Sequence, residues 1–379
     1  MLKGSVVQRI VLIVFGAMML GACREASVAQ QPKLYLGGDL SYTNEMDDCG
    51  GVYRKNGKQV DAYKLFAEEG AKIIRLRLWH NPNWTQYSTF ADVKRSIKRA
   101  KENQMDILLD FHYSDDWADP KHQVIPKAWE KIKDTKILGD SVYNYTYNTL
   151  INLNQLNLLP EIVQVGNEIN SEVMQYTKES AATINWERNV ALLNRGIEAV
   201  NDAAKKIGKP IQTMLHIAQP DEAFGWFENA RKYGIKQYDW IGLSYYPKWS
   251  KFNLERLAVE IDRLKSTFSR RVMIVETGLP YSPNNFDKAS NVLGADSKLD
   301  GYDLSREGQA KFMQDLVKSV IRGGGEGVIY WEPAWISTSC STQWGQGSHW
   351  ENATFFDAEN NNEVLPAIKF LYSKSYSTK

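Results

Sequence analysis

The chain has 379 residues, of which 43% are hydrophobic and 24% are charged. This is enough to bury a large core, as one α/β barrel or as two ordinary domains. The 46 basic residues nearly balance the 45 acidic ones, so the composition argues against a nucleic-acid partner. The 12 tryptophans and 19 tyrosines are many for this length. A core can hold some of them, and a cleft that stacks sugar rings on aromatic faces would use the excess.

The N-terminal segment has the pattern of an export signal. Lys3 and Arg9 precede an apolar run over residues 10–20, which is shorter than the roughly 20 residues that span a bilayer. Residues 20–23 (LGAC) then resemble the bacterial lipoprotein processing site. Cleavage at such a site leaves the cysteine, here Cys23, as the lipidated first residue.

This pattern predicts two segments ahead of the folded domain. We expect residues 1–22 to be a lipoprotein signal peptide and residues 23–33 to be a polar tether. The mature protein would then be exported and anchored to the bacterial outer membrane or cell surface by lipid, without spanning a membrane. The alternative is an ordinary cleaved signal in which Cys23 is incidental.

Short apolar runs alternate with helical patterns along the remaining chain. The runs that indicate strands are residues 34–40, 72–79, 106–112, 162–170, 210–216, 240–246, 272–278 and 327–332. The helical patterns that follow them are residues 60–70, 92–103, 140–158, 184–207, 221–233, 254–268, 305–322 and 363–372. Eight βα units predict a single closed (β/α)₈ barrel over residues 34–379. A doubly wound fold is disfavoured, because no G-x-G-x-x-G spacing follows a strand.

The predicted strand ends are rich in polar and aromatic residues. In a (β/α)₈ barrel these ends face one cleft, so their side chains are functional candidates as a group. They are Arg75, Arg77, Trp79, Asp110, His112, Asn167, Glu168, His216, Tyr246, Glu276, Trp331 and Glu332. A single glutamate there is more often an ion-pair partner than a catalyst. Glu168 on the fourth strand and Glu276 on the seventh, however, form the carboxylate pair that glycosidic-bond hydrolysis requires.

Six motifs occur in order along the chain. They are residues 75–82 (RLRLWHNP), 110–120 (DFHYSDDWADP), 165–169 (VGNEI), 242–247 (GLSYYP), 274–277 (IVET) and 330–336 (YWEPAWI). Together they resemble glycoside hydrolase family 53, the endo-β-1,4-galactanases, within a clan of retaining (β/α)₈ glycosidases. The resemblance implies hydrolysis of β-1,4-galactan in pectic arabinogalactan side chains. It makes Glu168 the general acid/base and Glu276 the nucleophile.

The same resemblance implies a set of substrate-binding residues: Arg75, His112, Asp115, Trp117, Asn167, His216, Tyr246, Trp331 and Trp335. We expect Arg75 to keep Glu276 ionised by holding down its pKa, and Tyr246 to donate to the same carboxylate. The charge of Glu276 is expected to raise the pKa of Glu168. Asn167 is placed to hydrogen-bond the 2-hydroxyl of the sugar. For His216, a purely structural histidine is the alternative.

Two cysteines remain after the predicted cleavage. Cys49 follows the first strand and Cys340 follows the last, and these strands are neighbours in a closed barrel. In an exported protein this placement predicts a disulfide between the two loops. The alternative is a pair of buried free thiols.

No cofactor is expected, and a metal-dependent hydrolase is disfavoured because the sequence has no His-x-His pair. Bacterial relatives often carry calcium in the loop after the seventh strand. That loop, residues 279–302, lacks their Asp-x-Asp-x-His-x-Asn spacing. Its oxygen ligands nevertheless leave open a structural Ca²⁺ site of different construction, from Asn285, Asp287, Asp296 and Asp300.

Two other functions remain open from the sequence. The same retaining machinery could act on another β-1,4-glycan, such as mannan or xylan. The chain could also be a non-catalytic glycan-binding lipoprotein, although loss of a catalytic glutamate would be expected in that case and both are present. Either way, the expected partners are a polysaccharide and a membrane reached through lipid, and we expect a monomer.

Overall fold

The computed structural model describes Met1, residues 33–177 and residues 183–376. The chain divides into two compact units, Met1–Pro32 and Lys33–Lys379. Apart from Met1, the first unit lies outside the described residues, and so do the predicted signal peptide and Cys23. None of the described helices is long and apolar enough to cross a membrane.

Eight parallel strands form a closed barrel in the second unit. Numbered along the chain, they are β1 Tyr35–Asp39, β2 Ile73–Leu78, β3 Asp106–Phe111, β4 Ile162–Val165, β5 Gln212–Ala218, β6 Trp240–Tyr245, β7 Arg271–Thr277 and β8 Gly327–Tyr330. Each strand pairs with the next, and β8 pairs with β1 to close the barrel. The predicted (β/α)₈ architecture is confirmed.

A short helix, Thr43–Asp48, follows β1, and seven longer α-helices connect the strands in the described part of the chain. They are α1 Ala62–Glu69, α2 Phe90–Glu102, α3 Thr135–Gln155, α4 Trp186–Ile207, α5 Pro220–Lys232, α6 Leu254–Phe268 and α7 Arg306–Arg322. A side-chain cap fixes the start of each of these seven except α5, through Asp61, Thr89, Asp134, Asn185, Asn253 and Ser305. Each cap accepts a hydrogen bond from a backbone N–H that the helix leaves unpaired. Helix α5 begins with Pro220, whose ring suits the first turn.

The prediction of a final helix over residues 363–372 is wrong. Glu363–Val364 is a strand antiparallel to Phe356–Asp357, and Pro366–Leu371 forms only a 3₁₀ helix. Pairing in a sheet uses the backbone groups that would have started an α-helix, and only a short segment remains after Pro366. The small sheet also includes two strands that the sequence did not indicate, Tyr53–Lys55 and Lys58–Val60.

The inside of the barrel changes from apolar to polar along its axis. One cluster of buried residues fills the end where the strands begin: Tyr35, Ile73, Leu108, Ile162, Met214, Trp240, Met273, Val275 and Ile329. Side chains in a strand alternate between its two faces, so the residue two positions further along points the same way. On β2 to β5 those residues are Arg75, Asp110, Gln164 and His216, all buried. The carboxyl ends of the strands therefore place polar groups on top of an apolar plug.

The predicted disulfide is confirmed. Cys49 and Cys340 are bonded, with their Cα atoms 5.8 Å apart. Directly after Cys340, Ser341–Thr342 pairs antiparallel with Gly345–Gln346 in a small hairpin. The disulfide therefore ties this hairpin, in the loop after β8, to the loop after β1.

Candidate active site

Glu168 and Glu276 come together at the carboxyl ends of β4 and β7. One carboxylate oxygen of each lies within 4.8 Å of the other. Retaining glycosidases hold their two carboxyl groups about 5–5.5 Å apart, whereas inverting enzymes need about 6.5–9.5 Å to admit a water. The backbone of Glu168 is left-handed, with φ +42°. Residues other than glycine rarely adopt this conformation, and functional sites are where such strain is usually found.

Both oxygens of Glu276 have a fixed partner. Arg75 Nη1 lies 2.9 Å from Glu276 Oε1, and the hydroxyl of Tyr246 donates to Oε2 over 3.1 Å. The carboxylate is nearly buried, with 6% of the residue exposed. The structure thus bears out Tyr246 as a donor, and the two contacts fix the orientation of the carboxylate.

The guanidinium of Arg75 serves several groups at once. It lies 2.7 Å from Asp39 and 2.8 Å from Asp110, in addition to Glu276. It also donates to Asn167 Oδ1 over 2.7 Å. Its positive charge is therefore shared among three buried carboxylates.

Burial and this sharing correct one expectation about Glu276. Burial raises the pKa of Glu276 to about 7; Arg75 acts to lower that pKa, but Asp39 and Asp110 act to raise it. The sequence had led us to expect that Arg75 holds the pKa of Glu276 below its ordinary value, and this expectation is wrong. The role of Arg75 is to orient the carboxylate and to limit the rise in pKa.

Glu168 holds its proton more strongly than Glu276. Burial raises the pKa of Glu168 well above its ordinary value, and the charge of Glu276 raises it further. Two carboxyl groups whose pKa values are pushed apart supply an acid and a nucleophile at one pH. The arrangement favours a protonated Glu168 beside an ionised Glu276, which is the state that a retaining mechanism starts from.

Glu276→Gln is expected to stabilise the fold at high pH. The carboxyl titrates near 4.5 when unfolded and at about 7 in the folded protein. Between these values the folded state binds more protons, so the free energy of unfolding falls as the pH rises through this window. The amide avoids that loss, which is on the order of 3 kcal/mol. Melting curves should show the variant above the wild type at about pH 8, and the two converging below about pH 5. An equal difference at both pH values would contradict this account.

His112 and Asp115 are held by protein groups. Each nitrogen of the buried His112 ring has a partner: Nδ1 accepts from the amide of Ala118 over 3.1 Å, and Nε2 lies 3.0 Å from Asp110. Asp115 accepts from the amides of Asn81 over 2.9 Å and Lys127 over 2.8 Å. Of the predicted binding residues, these two therefore shape the loops around the cleft.

Asn167 and His216 are also buried beside the carboxylate pair. Asn167 donates one amide hydrogen to the carbonyl of Ala118 over 2.8 Å. An amide carries two hydrogens, so one remains for the 2-hydroxyl of a sugar. His216 is fully buried, and burial lowers its pKa well below the ordinary value. Its ring therefore acts on a substrate only through its neighbours, which favours the structural alternative.

Of the three tryptophans among the predicted binding residues, two are partly exposed. The rings of Trp117 and Trp331 lie 5.8 Å apart between centroids, and both side chains keep an exposed fraction. Trp335 is 3% exposed and stacks on Tyr42 at 3.9 Å. The guanidinium carbon of Arg77 lies over the ring of Trp117, 4.2 Å from its centroid. Trp117 and Trp331 are thus available to stack on sugar rings, and Trp335 holds this group of aromatic rings in place.

Sequence reasoning missed several residues of the site: Asp39, Gln164, Ser244 and Trp344. Gln164 gave a signal, because it is the one polar residue in the short run of residues 162–165. Its amide donates to Asp110 over 2.6 Å. Trp344, at the tip of the disulfide-anchored hairpin, is 39% exposed and lies 5.1 Å from Trp84. Its place depends on how the loop folds, which no local pattern indicates.

Two of the candidate oxygen ligands in the loop after β7, Asp287 and Asp296, are bound by protein groups. Asp287 accepts from the amides of Ala289 and Ser348, each over 2.7 Å. Asp296 pairs with Lys248 at 2.8 Å. Within residues 33–177 and 183–376, the group of His, Cys and carboxylate ligand atoms that converges is the one formed by Glu168, His216 and Glu276.

The fold and the site together define a class of protein. A closed (β/α)₈ barrel with two carboxylates within 4.8 Å, at the ends of β4 and β7, is a glycoside hydrolase with the spacing of a retaining enzyme. The chain belongs to glycosyl hydrolase family 53, whose family model matches residues 35–371. The resemblance seen in the six motifs is thereby confirmed.

Relatives at several distances support this assignment. The chain is 52% identical to an arabinogalactan endo-β-1,4-galactanase of Cellvibrio japonicus over 355 residues, which is 93% of this chain and 94% of that protein. It is 31% identical to an endo-β-1,4-galactanase of Bacillus subtilis, covering 81% of this chain and 71% of that one. Among solved structures, it matches the family 53 catalytic domain of Ignisphaera aggregans with a TM-score of 0.80 and 30% identity, over 91% of this chain and 97% of that one.

Proposed function

We propose that this chain is an endo-acting, retaining β-1,4-galactanase that cleaves pectic galactan and arabinogalactan side chains. The observation that carries the proposal is the carboxylate pair, Glu168 and Glu276, with one oxygen of each within 4.8 Å. Similarity to galactanases along almost the whole chain supports galactan as the substrate. One chain supplies both carboxylates and all their contacts, so we propose that it acts as a monomer. We propose that no metal is required, because the two carboxyl groups can supply both the acid and the nucleophile.

The first step forms a covalent intermediate. Glu276 attacks the anomeric carbon while the bond from that carbon to the leaving oxygen breaks, and Glu168 gives its proton to the leaving oxygen. Arg75 and Tyr246 hold the attacking carboxylate in place. The free amide hydrogen of Asn167 is available to the 2-hydroxyl, a contact that strengthens as positive charge develops on the ring.

The second step releases the sugar with its original configuration. Once Glu276 is an ester, its negative charge is gone, and the pKa of Glu168 falls. Glu168, now a carboxylate, removes a proton from water, and the water attacks the anomeric carbon. The ester bond breaks and Glu276 leaves as a carboxylate. Two displacements on the same carbon restore the β configuration.

A polysaccharide panel tests the substrate. The purified protein is assayed for reducing sugar and viscosity on linear galactan, arabinogalactan, mannan and xylan, both with and without a chelator. We expect the highest rate on linear galactan, with viscosity falling early because an endo enzyme cuts inside chains. A higher rate on mannan or xylan would replace galactan as the substrate. No hydrolysis of any polysaccharide would favour the glycan-binding alternative.

We also propose that the chain is exported and attached to the outer membrane or cell surface by lipid on Cys23. Residues 20–23 (LGAC) after the apolar run support this proposal. In a bacterial host fed labelled palmitate, the wild type is expected to carry the label and to enter the detergent phase. Cys23→Ser should carry no label and stay out of the detergent phase, and it should retain full activity on galactan. An unlabelled wild type would contradict the proposal and leave the galactanase assignment untouched.

A further inference from the structure

Glu168 has a close polar partner that the mechanism above leaves without a role. The hydroxyl of Ser244 lies 2.6 Å from Glu168 Oε1 and 2.9 Å from His216 Nε2. Ser244 and His216 are both fully buried. The serine therefore stands between the acid/base and a histidine that solvent does not reach.

An irregularity in the barrel puts Ser244 there. The pairing of β6 with β7 shifts register between Leu243 and Ser244, so that Ser244 lies opposite Glu276 while Leu243 lies opposite Ile274. Such a bulge re-aims side chains next to active sites. Ser244 on β6 contacts Glu168, and Tyr246, two residues later and directly after the strand, contacts Glu276. The carboxyl end of β6 thus serves both carboxylates.

The surrounding hydrogen bonds fix which atom of His216 carries hydrogen. Asn167 Oδ1 accepts from Arg75 over 2.7 Å, which identifies it as the amide oxygen. His216 Nδ1 lies 2.9 Å from that oxygen, but two donors also reach Nδ1: the backbone N–H of Glu168 over 3.3 Å and the amide nitrogen of Gln164 over 3.1 Å. Nδ1 therefore accepts. The neutral ring has one hydrogen on nitrogen, which lies on Nε2 and is donated to the hydroxyl oxygen of Ser244 over 2.9 Å.

Ser244 thus accepts from His216 and keeps its own hydrogen for Glu168. We propose that Ser244 is a positioning residue for Glu168: His216 Nε2–H holds the serine oxygen, and the serine hydroxyl donates to Glu168 Oε1, which orients the carboxyl group and stabilises its ionised form. The proposal rests on the proposed role of Glu168 as acid/base and deepens it. Ser244 neither gains nor loses a proton. The proton of Glu168 goes to the leaving oxygen in the first step and is replaced from water in the second.

The hydroxyl is one of several groups that act on Glu168. Glu276 on β7 and Asp119 after β3 raise its pKa, whereas Arg75 on β2 lowers it. His216 on β5 is neutral, and Tyr246 directly after β6 donates a hydrogen bond to Glu276. Among these groups, Ser244 is the neutral one that donates a hydrogen bond to the Glu168 carboxylate. Its removal should therefore make the ionised form of Glu168 less stable and leave the other charges in place.

The test compares Ser244→Ala, Ser244→Thr and a matched control, Ser319→Ala. Ser319 is a buried serine on α7 whose hydroxyl donates to the carbonyl of Leu254, the first residue of α6. Values of kcat/KM are measured across pH on the polysaccharide that the wild type cleaves fastest. They are also measured on a dinitrophenyl and a phenyl glycoside of the same sugar. The wild type in the same assay tests the proposed function separately.

Ser244→Ala is expected to lose about 10- to 100-fold in kcat/KM on the polysaccharide and the phenyl glycoside, the usual effect of one hydrogen bond to a charged group. The dinitrophenyl glycoside needs little protonation and should lose much less. In Ser244→Ala the alkaline limb of the pH profile of kcat/KM should move to higher pH. Ser244→Thr should restore both the value of kcat/KM and the position of that limb. Equal losses on both aryl glycosides with an unmoved pH profile would overturn the proposal, and so would an unchanged kcat/KM.

Discussion

Glu276→Ala is expected to lower the rate of galactan hydrolysis by about 10⁴-fold or more, the scale seen when a nucleophile is removed. Without this carboxylate no covalent intermediate forms. The neighbours that oriented it, Arg75 and Tyr246, have nothing to hold in its place. Release of reducing sugar from linear galactan measures the loss.

Glu260→Gln provides the control. Glu260 is more deeply buried than either catalytic glutamate, with 1% exposed, but it lies on α6 beside Arg263. This variant should keep wild-type activity. Azide gives a second readout, because a small anion can enter the space left in Glu276→Ala. With an activated β-galactoside the product should be the α-galactosyl azide, since only one displacement then occurs. Undiminished galactan hydrolysis by Glu276→Ala would rule out its role as nucleophile.

Glu168→Ala is expected to show losses that depend on the leaving group. On galactan, kcat/KM should fall by about 10²- to 10⁴-fold, the range that general acid catalysis contributes. The dinitrophenolate group of a dinitrophenyl galactoside leaves without needing a proton, so kcat/KM on that substrate should fall far less. The alkaline limb of the pH profile should disappear with this variant, because the raised pKa of Glu168 sets that limb.

The comparison across leaving groups separates an acid from a structural residue. Damage to the fold would slow all substrates alike, and melting curves would show it independently. Azide should speed turnover of the activated substrate and give the β-galactosyl azide, because Glu276 still forms the ester. Equal losses on galactan and on the dinitrophenyl galactoside would remove Glu168 from the role of acid.

The sequence predicted the parts of the site that follow from strand periodicity. A β-branched run ending in Asn167 and Glu168, and another ending in Glu276, placed these side chains at the mouth of the barrel. Counting the strands between them gave β4 and β7. The disulfide was predictable for the same reason, since the first and last strands of a closed barrel are neighbours.

What the sequence did not predict depends on contacts between strands. Burial raises the pKa of Glu276 against the expected direction, and Asp39 and Asp110 add to the rise. Their sharing of Arg75 follows from the register of β1, β2 and β3. The place of Ser244 depends on a shift of register between β6 and β7. The small sheet formed by Tyr53–Lys55 and Glu363–Val364 joins segments far apart in the chain. No local pattern carries such information.

The roles of Glu276 and Glu168 are tested most directly by trapping the intermediate. An activated 2-deoxy-2-fluoro-β-galactobioside slows both steps, because fluorine disfavours positive charge on the ring, while the good leaving group lets the ester accumulate. Peptide mass mapping then locates the sugar. The account predicts one galactobiosyl adduct, on the peptide that carries Glu276. An adduct on Glu168, or enzyme that turns over without any adduct, would contradict it.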